Sequence, residues 1–160
     1  MSLRLFRRSP AQLRLRTPGV ERYLARVSGP LLDRIDIHLE VPAVKYRAVA
    51  DQGGGEPSEA VRERVDRAPA AQRERFASRL GVYANADMAA RDIRTFCRVS
   101  DGADALLRTA ITRLALSARA YHRILKIART IADLAGAASL ESRHVSEAIQ
   151  YRSLDRRGLA

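Results

Sequence analysis

The sequence is poor in cysteine, aromatic residues and lysine. It has one cysteine, Cys97, no tryptophan, and aromatic residues make up 5% of its 160 positions. A single cysteine excludes an internal disulfide and a metal site built from several cysteines. The position of Cys97 directly after Phe96 predicts a small buried core residue rather than a nucleophile. Alanine and leucine dominate the apolar residues, and this composition favours helices packed on helices over sheets.

The motifs of common enzyme classes are also missing. The chain has no G-x-x-x-x-G-K-[ST] phosphate loop and no G-x-S-x-G nucleophile elbow. Its three histidines, His38, His122 and His144, are too scattered in the sequence to predict a metal site. Residues 51–58, DQGGGEPS, contain three glycines, but no Gly-Lys pair follows, so we interpret them as a hinge. No run of 18 apolar residues occurs, so the sequence predicts no membrane-spanning helix, and we expect a cytoplasmic protein.

Positive charge is what the sequence has in excess. Lysine and arginine number 29 against 18 acidic residues, a net charge of +11. This balance is typical of nucleic-acid-binding proteins and makes DNA a candidate partner. The excess is uneven, because residues 1–28 hold seven arginines against the single acid Glu21, and residues 1–19 predict a basic flexible arm. The candidate nucleic-acid contacts are Arg4, Arg7, Arg8, Arg14, Arg16, Arg123 and Lys126.

The clearest structural signal is the stretch 116–135, LSARAYHRILKIARTIADLA. Its apolar residues recur at the spacing of one helix face, and Ser117 stands where a hydroxyl can cap the helix. Arg119 lies in the first turn, where the helix dipole disfavours a cation, which indicates that Arg119 meets another partner. The expected apolar face is Ala120, Ile124, Ile127, Ala128, Ile131 and Leu134, and the expected polar face is Arg119, Arg123, Lys126, Thr130 and Asp133.

The rest of the chain predicts further helices and one strand. Residues 20–26 predict a short helix, and alternating apolar and polar residues over 35–41 predict a strand with a buried apolar face. One strand has no partner in a helical chain, which indicates that its sheet is missing. Ser58 is expected to cap a helix that reaches Phe76 and kinks or splits at Pro69. Further helices are predicted from Asp87 (burying Ala89, Ile93, Phe96 and Cys97), from Asp101, and from Ser142 through Arg152.

Four segments of the sequence resemble the C-terminal part of magnesium-chelatase-like AAA+ ATPases. In chain order they are RYLARVSGPLLDRIDIHLEVP, NADMAARDIRTFC, LSARAYHRILKIARTIADLAG and HVSEAIQYRSLDR. The resemblance covers residues 20–157 and is nearest to the competence-protein, or ComM-type, branch. It implies a mainly α fold, with a helical bundle, the AAA+ lid domain, over 59–157. A short helix and one strand within 20–50 would be left over from an α/β ATPase core.

The same resemblance implies roles for two arginines. Arg34, in SGPLLDRID, matches the arginine finger that reaches the nucleotide of a neighbouring subunit, and Arg119, in SARAY, matches the sensor-2 arginine of the lid. Arginine suits both roles because its planar, permanently charged group neutralises charge on phosphoryl oxygens. The chain would act in a ring-type homo-oligomer whose AAA+ core, on another polypeptide or in a missing N-terminal part, binds ATP and Mg²⁺. By itself the chain is expected to hold no cofactor and to hydrolyse no ATP.

Other interpretations of the same residues stay open. Arg34 would have no catalytic role if it only pairs with Asp33 or Asp36, and Arg119 would have none if it is a solvated surface residue. The chain would instead be a small basic helical nucleic-acid-binding module if its arm and the face with Arg119, Arg123 and Lys126 contact DNA or RNA. A folded remnant without partners is a further alternative.

Overall fold

The computed structural model describes part of the chain in detail, namely residues 34–39, 41, 43, 55–114 and 116–152. The chain divides into two units, Met1–Ile35 and Asp36–Ala160. Of the first unit the structure describes Arg34 and Ile35, and both are exposed. The predicted arm, the predicted helix at 20–26, residues 51–54 of the predicted hinge and the tail after residue 152 lie outside the described residues.

The second unit is mainly helical, as expected from the composition and from the family resemblance. Helix α4 is central in the described residues, because it packs against α1, α2, α5 and a short 3₁₀ helix, while α3 packs against α5. The elements are α1 (Ser58–Phe76), the 3₁₀ helix (Asn85–Asp87), α2 (Ala90–Phe96), α3 (Asp101–Leu114), α4 (Ala118–Leu134) and α5 (Ser142–Gln150).

Helix α4 has the boundaries that its sequence predicts. The Ala120 N–H donates to Ser117 Oγ at 3.1 Å, so Ser117 caps the helix. Past the other end, Gly136 has φ 67°, the left-handed conformation that a glycine adopts most readily after a helix. Between them, Ile124 and Ala128 are fully buried, and each buried isoleucine contributes about 1.5–3 kcal/mol to folding.

Cys97 and two phenylalanines connect α2 to the rest of the core. The rings of Phe76 and Phe96 meet edge to face with centroids 5.3 Å apart, which joins α1 to α2. Cys97 is buried, and its Sγ lies 3.7 Å from the Leu125 carbonyl oxygen of α4. Burial raises the pKa of the Cys97 thiol to about 11. The prediction that Cys97 is a small buried core residue is therefore confirmed.

Helix α1 begins one residue earlier than predicted and is not split at Pro69. The N-cap is Pro57, and Ser58 is the first helical residue, so Ser58 does not cap the helix. The helix continues through Pro69 without the expected split, since one missing hydrogen bond is tolerated in a 19-residue helix whose second half is packed. Only the second half of α1 packs on the core: Gln72 and Phe76 are buried there, whereas Val65 in the first half is 49% exposed.

Residues 35–39 and 41 do not form the predicted strand. In this segment Leu39 is 70% and Val41 85% exposed, while the polar His38 is buried. The predicted burial is therefore reversed. A strand needs hydrogen bonds from a neighbouring strand. The described residues contain no strand that could pair with this segment. The His38 N–H instead donates to the Tyr151 carbonyl oxygen at 2.7 Å.

Helices α2 and α5 begin at other residues than predicted. Asp87 ends the 3₁₀ helix, where its carboxylate accepts the Tyr83 and Ala84 N–H groups, and α2 begins only at Ala90. Ala89 is accordingly exposed rather than buried. In α5 the N-cap is Glu141 instead of Ser142, and α5 ends at Gln150, short of the expected Arg152. None of the helices within the described ranges is long and apolar enough to cross a lipid bilayer.

Candidate functional site

A row of basic residues along α4 borders a surface cleft. Arg119, Arg123 and Lys126 follow one another at helical spacing, and we call these three residues the cation row. The cleft lies against α2 and has a volume of about 430 Å³. Its floor includes the buried side chains of Met88 and Ile93, so it combines an apolar base with a positive edge.

Two members of the cation row are held by other parts of the same unit. Arg123 Nη1 donates to Asp36 Oδ1 at 2.5 Å. Lys126 Nζ donates to the Ala86 carbonyl oxygen at 2.6 Å, next to the 3₁₀ helix. Their side chains are half-buried rather than fully solvated. These contacts occupy donor groups of Arg123 and Lys126. Both side chains therefore have fewer donors left for an external anion.

Arg119 is in a different state. Its side chain is exposed, and it makes no hydrogen bond or ion pair with any residue that the structure describes. Its place in the first turn is fixed by the Ser117 cap, and free N–H groups of that turn lie beside it. The guanidinium and the helix N-terminus are both attractive to an anion at this end of the cleft.

The far end of α4 contains a buried polar cluster that the sequence interpretation missed. Asp133 belongs to the expected polar face of α4, but it is 4% exposed, so this end of the polar face is buried rather than solvated; Thr130 is half-buried. Asp133 accepts hydrogen bonds from Arg75 of α1 at 2.8 Å, from Arg129 at 3.0 Å and from Asn85 Nδ2 at 2.8 Å. The arginines neutralise a carboxylate that would be too costly to bury alone.

The same cluster fixes the loop after α4. Arg129 is 2% exposed and donates from Nη1 to the Ala138 carbonyl oxygen at 2.8 Å, and from Nη2 to the Ala137 carbonyl oxygen. Every charged group of the cluster thus has a partner inside the protein, which favours a structural role. The four-residue spacing of Arg129 and Asp133 on one helix was the signal in the sequence that could have revealed part of it.

A second buried carboxylate lies at the start of α2. Asp92 accepts the Ala89 N–H at 3.0 Å and pairs with the Arg79 guanidinium. Burial acts to raise the pKa of Asp92, but the Ala89 hydrogen bond and the Arg79 guanidinium outweigh it and lower that pKa. Asp92 is therefore an ionised carboxylate that ties α2 to the loop after α1.

The structure describes only some of the remaining predicted site residues. Arg34 is exposed and belongs to the first unit. Within the described ranges no group of three His, Cys, Asp or Glu side chains could hold a metal ion. The donor set at the cleft is cationic, so it fits the phosphate oxygens of a nucleotide and does not fit Mg²⁺. The five arginines of the predicted arm, Arg4, Arg7, Arg8, Arg14 and Arg16, lie outside the described residues.

Two protein-family descriptions match the chain in consecutive parts. "Magnesium chelatase, subunit ChlI" matches residues 6–49, and "Magnesium chelatase, subunit ChlI C-terminal" matches residues 55–152. The second match contains the whole helical part described above, including the cation row. Residues 50–54 lie between the two matches.

Three similar proteins come from three bacteria. Competence protein ComM of Haemophilus influenzae is 42% identical over 138 residues, which are 86% of this chain and 26% of that protein. The uncharacterised protein YifB of Escherichia coli is 39% identical, over 84% of this chain and 26% of its own length. The uncharacterised protein Rv2897c of Mycobacterium tuberculosis is 37% identical, over 82% and 26%. The chain thus spans about a quarter of the length of the curated relatives it matches.

Proposed function

This chain belongs to the magnesium-chelatase ChlI family and corresponds to the C-terminal region of a magnesium-chelatase-like AAA+ ATPase, and from that premise we propose that it supplies two arginines to an ATP site. Its helical unit acts as the lid, and Arg119 acts as the sensor-2 arginine that contacts nucleotide phosphate. Arg34 acts as the arginine finger for the nucleotide of a neighbouring subunit in a ring. The ATPase core of the complete protein supplies the phosphate loop and the ligands of Mg²⁺.

The observation that carries this proposal is the contrast within the cation row. Arg123 and Lys126 are engaged by Asp36 and the Ala86 carbonyl oxygen, whereas Arg119 has no partner among the described residues. Other exposed arginines, such as Arg113, also lack a described partner, so availability alone is not the argument. What favours Arg119 is its place at a helix N-terminus beside the cleft, where its guanidinium and the free N–H groups of the first turn both suit a phosphate group.

The role of the chain's own residues is binding and orientation. In the lid, Ser117 holds the first turn so that Arg119 can donate its N–H groups to a phosphate oxygen. Hydrolysis of ATP also needs a cradle for the phosphates and a metal ion, which this sequence does not supply. ATP, Mg²⁺ and the ring-type homo-oligomer are therefore properties that we propose for the complete protein.

A chimeric ATPase tests the proposal. The C-terminal quarter of the Haemophilus influenzae ComM is replaced by this chain, and ATP turnover is measured together with turnover by the isolated chain. We expect turnover from the chimera, none from the chain alone, and a loss of about 100-fold or more for Arg119→Ala, since one charge-stabilising donor has this effect in other enzymes. Arg113→Ala is the matched control, because Arg113 is exposed, unpaired in the described residues and outside the cleft.

The finger assignment has its own test in the same chimera. Arg34→Ala subunits are expected to be inactive alone, and to regain turnover when mixed with subunits that lack a working phosphate loop, because finger and loop then come from different subunits. Equal turnover by Arg119→Ala and Arg113→Ala would contradict the sensor-2 role. Absence of recovery on mixing would contradict a finger that acts between subunits.

Binding of nucleic acid is the second candidate function, and the net charge of +11 is the observation in its favour. The pairing of Arg123 and Lys126 counts against the helical face as the contact surface. If the arm is responsible, binding of the whole chain to duplex DNA should fall steeply with salt and show little sequence preference, and deletion of residues 1–19 should abolish most of it. A truncated chain that binds as tightly as the whole chain would exclude the arm.

A further inference from the structure

One ion pair connects the helix of Arg119 to the segment that follows Arg34. Arg123 lies one turn after Arg119 on α4, and its Nη1 donates to Asp36 Oδ1 at 2.5 Å. Asp36 comes two residues after Arg34 in the sequence. Both partners of the ion pair belong to the second unit.

Two further contacts hold the same segment against the helical unit. The His38 N–H donates to the Tyr151 carbonyl oxygen at 2.7 Å, just after α5. Ile37 and Leu39 line an apolar cavity of about 390 Å³ together with side chains of α4 and Tyr151. Residues 36–39 are thus attached to α4 and to the end of α5, although Leu39 remains 70% exposed.

The ion pair is a poor candidate for a purely stabilising contact. The Asp36 side chain is 53% exposed to solvent, and the Arg123 side chain is 21% exposed. Pairs that are this open to water contribute little to folding, because solvent screens the charges and two flexible side chains must be ordered. Its position is more informative than its strength, since it joins one member of the cation row to the segment that follows Arg34.

We propose that the Asp36–Arg123 ion pair is a coupling contact, an inference that rests on the proposed function. It holds residues 36–39 against the helix that carries Arg119, and so keeps the first turns of that helix, with Arg119, in one position beside the nucleotide. Asp36 and Arg123 are positioning residues, and neither needs to touch the nucleotide. Lys126 serves as the second anchor of the same helix face, through the Ala86 carbonyl oxygen.

The contact itself is tested on the whole chain without nucleotide. Amide hydrogen exchange of His38, followed by NMR, reports whether residues 36–39 detach from Tyr151. Asp36→Asn and Arg123→Gln should each accelerate this exchange by up to about fivefold, the range expected for an exposed pair. The double variant Asp36→Arg with Arg123→Asp should restore slow exchange, because it rebuilds the pair with reversed charges.

The control is another solvent-accessible ion pair of the same unit, whose carboxylate is about as exposed as that of Asp36. Glu56 and Arg64 form two hydrogen bonds, of 2.6 and 2.9 Å, and Glu56→Gln should leave the exchange of His38 unchanged. Unchanged exchange in both single variants, or no restoration in the reversed pair, would overturn the coupling contact.

The functional consequence is measured in the chimeric ATPase. Arg123→Gln is expected to lower kcat up to about fivefold with little change in KM, and the reversed pair should recover the loss, which a general loss of folding would not do. If Arg119→Ala has no effect, the proposed function fails, whatever Arg123→Gln does. If Arg119→Ala abolishes turnover while Arg123→Gln leaves kcat unchanged, the coupling contact alone is refuted.

Discussion

The two ends of helix α4 use charged side chains in opposite ways. At its C-terminal end, Arg129 and Asp133 are 2% and 4% exposed and are tied to Arg75 of another helix. At its N-terminal end, Arg119 is exposed and has no partner in the described part of the chain. Burial requires that every charge be paired, whereas exposure leaves a charge free to meet a ligand. The difference separates an arginine that maintains the fold from one that is available for function.

The largest expected loss of stability comes from removing the buried carboxylate at the C-terminal end of α4. Asp133→Ala would leave the guanidinium groups of Arg75 and Arg129 without their carboxylate. Removing one partner of a buried ion pair lowers the free energy of unfolding by about 3–5 kcal/mol. Urea denaturation of the isolated chain measures this loss.

The chain offers a matched control for that variant. Glu63 and Arg67 of α1 have the same four-residue spacing, with a contact of 3.0 Å, but both side chains are exposed. Glu63→Ala should lower the free energy of unfolding by only about 0.3–0.5 kcal/mol. If Asp133→Ala cost no more than Glu63→Ala, the buried cluster would have no special structural role.

A smaller effect is expected from pH at the start of α5. His144 is buried and its Nδ1 accepts the Glu141 N–H at 3.1 Å, as a neutral imidazole does. Burial, followed by the nearby charge of Arg143, lowers the pKa of His144 below its ordinary value of 6.5, although Glu141 opposes this. The unfolded chain therefore binds a proton more readily than the folded one. This contribution to stability is fully present above pH 6.5 and is lost as the pH falls below it toward the lowered pKa.

The check for His144 is the urea midpoint between about pH 7.5 and about pH 5. The midpoint should fall on acidification, and His144→Gln, which cannot titrate, should flatten this decline. If the urea midpoint of the His144→Gln variant falls with the same slope, groups other than His144 cause the pH dependence.

The smallest effect on stability is expected at the exposed end of α4. Arg119→Ala should change the free energy of unfolding by less than about 0.5 kcal/mol, as most surface substitutions do. Loss of the unfavourable interaction with the helix dipole could even stabilise the chain slightly. Thermal melts of Arg119→Ala and Arg113→Ala should therefore nearly coincide. A large destabilisation by Arg119→Ala would make Arg119 a structural residue and remove the contrast with Asp133.

Local signals in the sequence predicted the helices, but they did not predict the buried charged cluster at the C-terminal end of α4. The boundaries of α4 follow from the hydroxyl of Ser117 and from Gly136, both within one turn of the ends. Helical spacing puts Asp133 on the polar face with Thr130, and Asn85 contacts both. The burial of Asp133 depends on Arg75, however, which is 58 residues away, and helical spacing contains no information about such a partner. Asp87 has the residue type of a helix start, but its carboxylate caps the 3₁₀ helix that Asp87 itself ends.

The candidate site shows the same limit. Residue type and helical spacing predicted that Arg119, Arg123 and Lys126 share one face, and all three border the same cleft. The pattern could not distinguish the engaged members from the available one, because Asp36 and the Ala86 carbonyl oxygen come from distant parts of the sequence. The strand predicted at 35–41 failed for a related reason, since a strand depends on neighbours that the local sequence does not specify.

The Arg75–Asp133 contact also sets the order in which the helical unit can fold. It joins residues 58 positions apart, whereas α3, α4 and α5 pack against partners that are closer in the sequence. Closing the longer loop costs more chain entropy, so α4 and α5 should associate before α1 docks. Until α1 arrives, one of the two guanidinium partners of Asp133 is absent, and water can solvate the carboxylate. In pulsed hydrogen exchange during refolding, the amides of α4 and α5 should therefore become protected before those of α1.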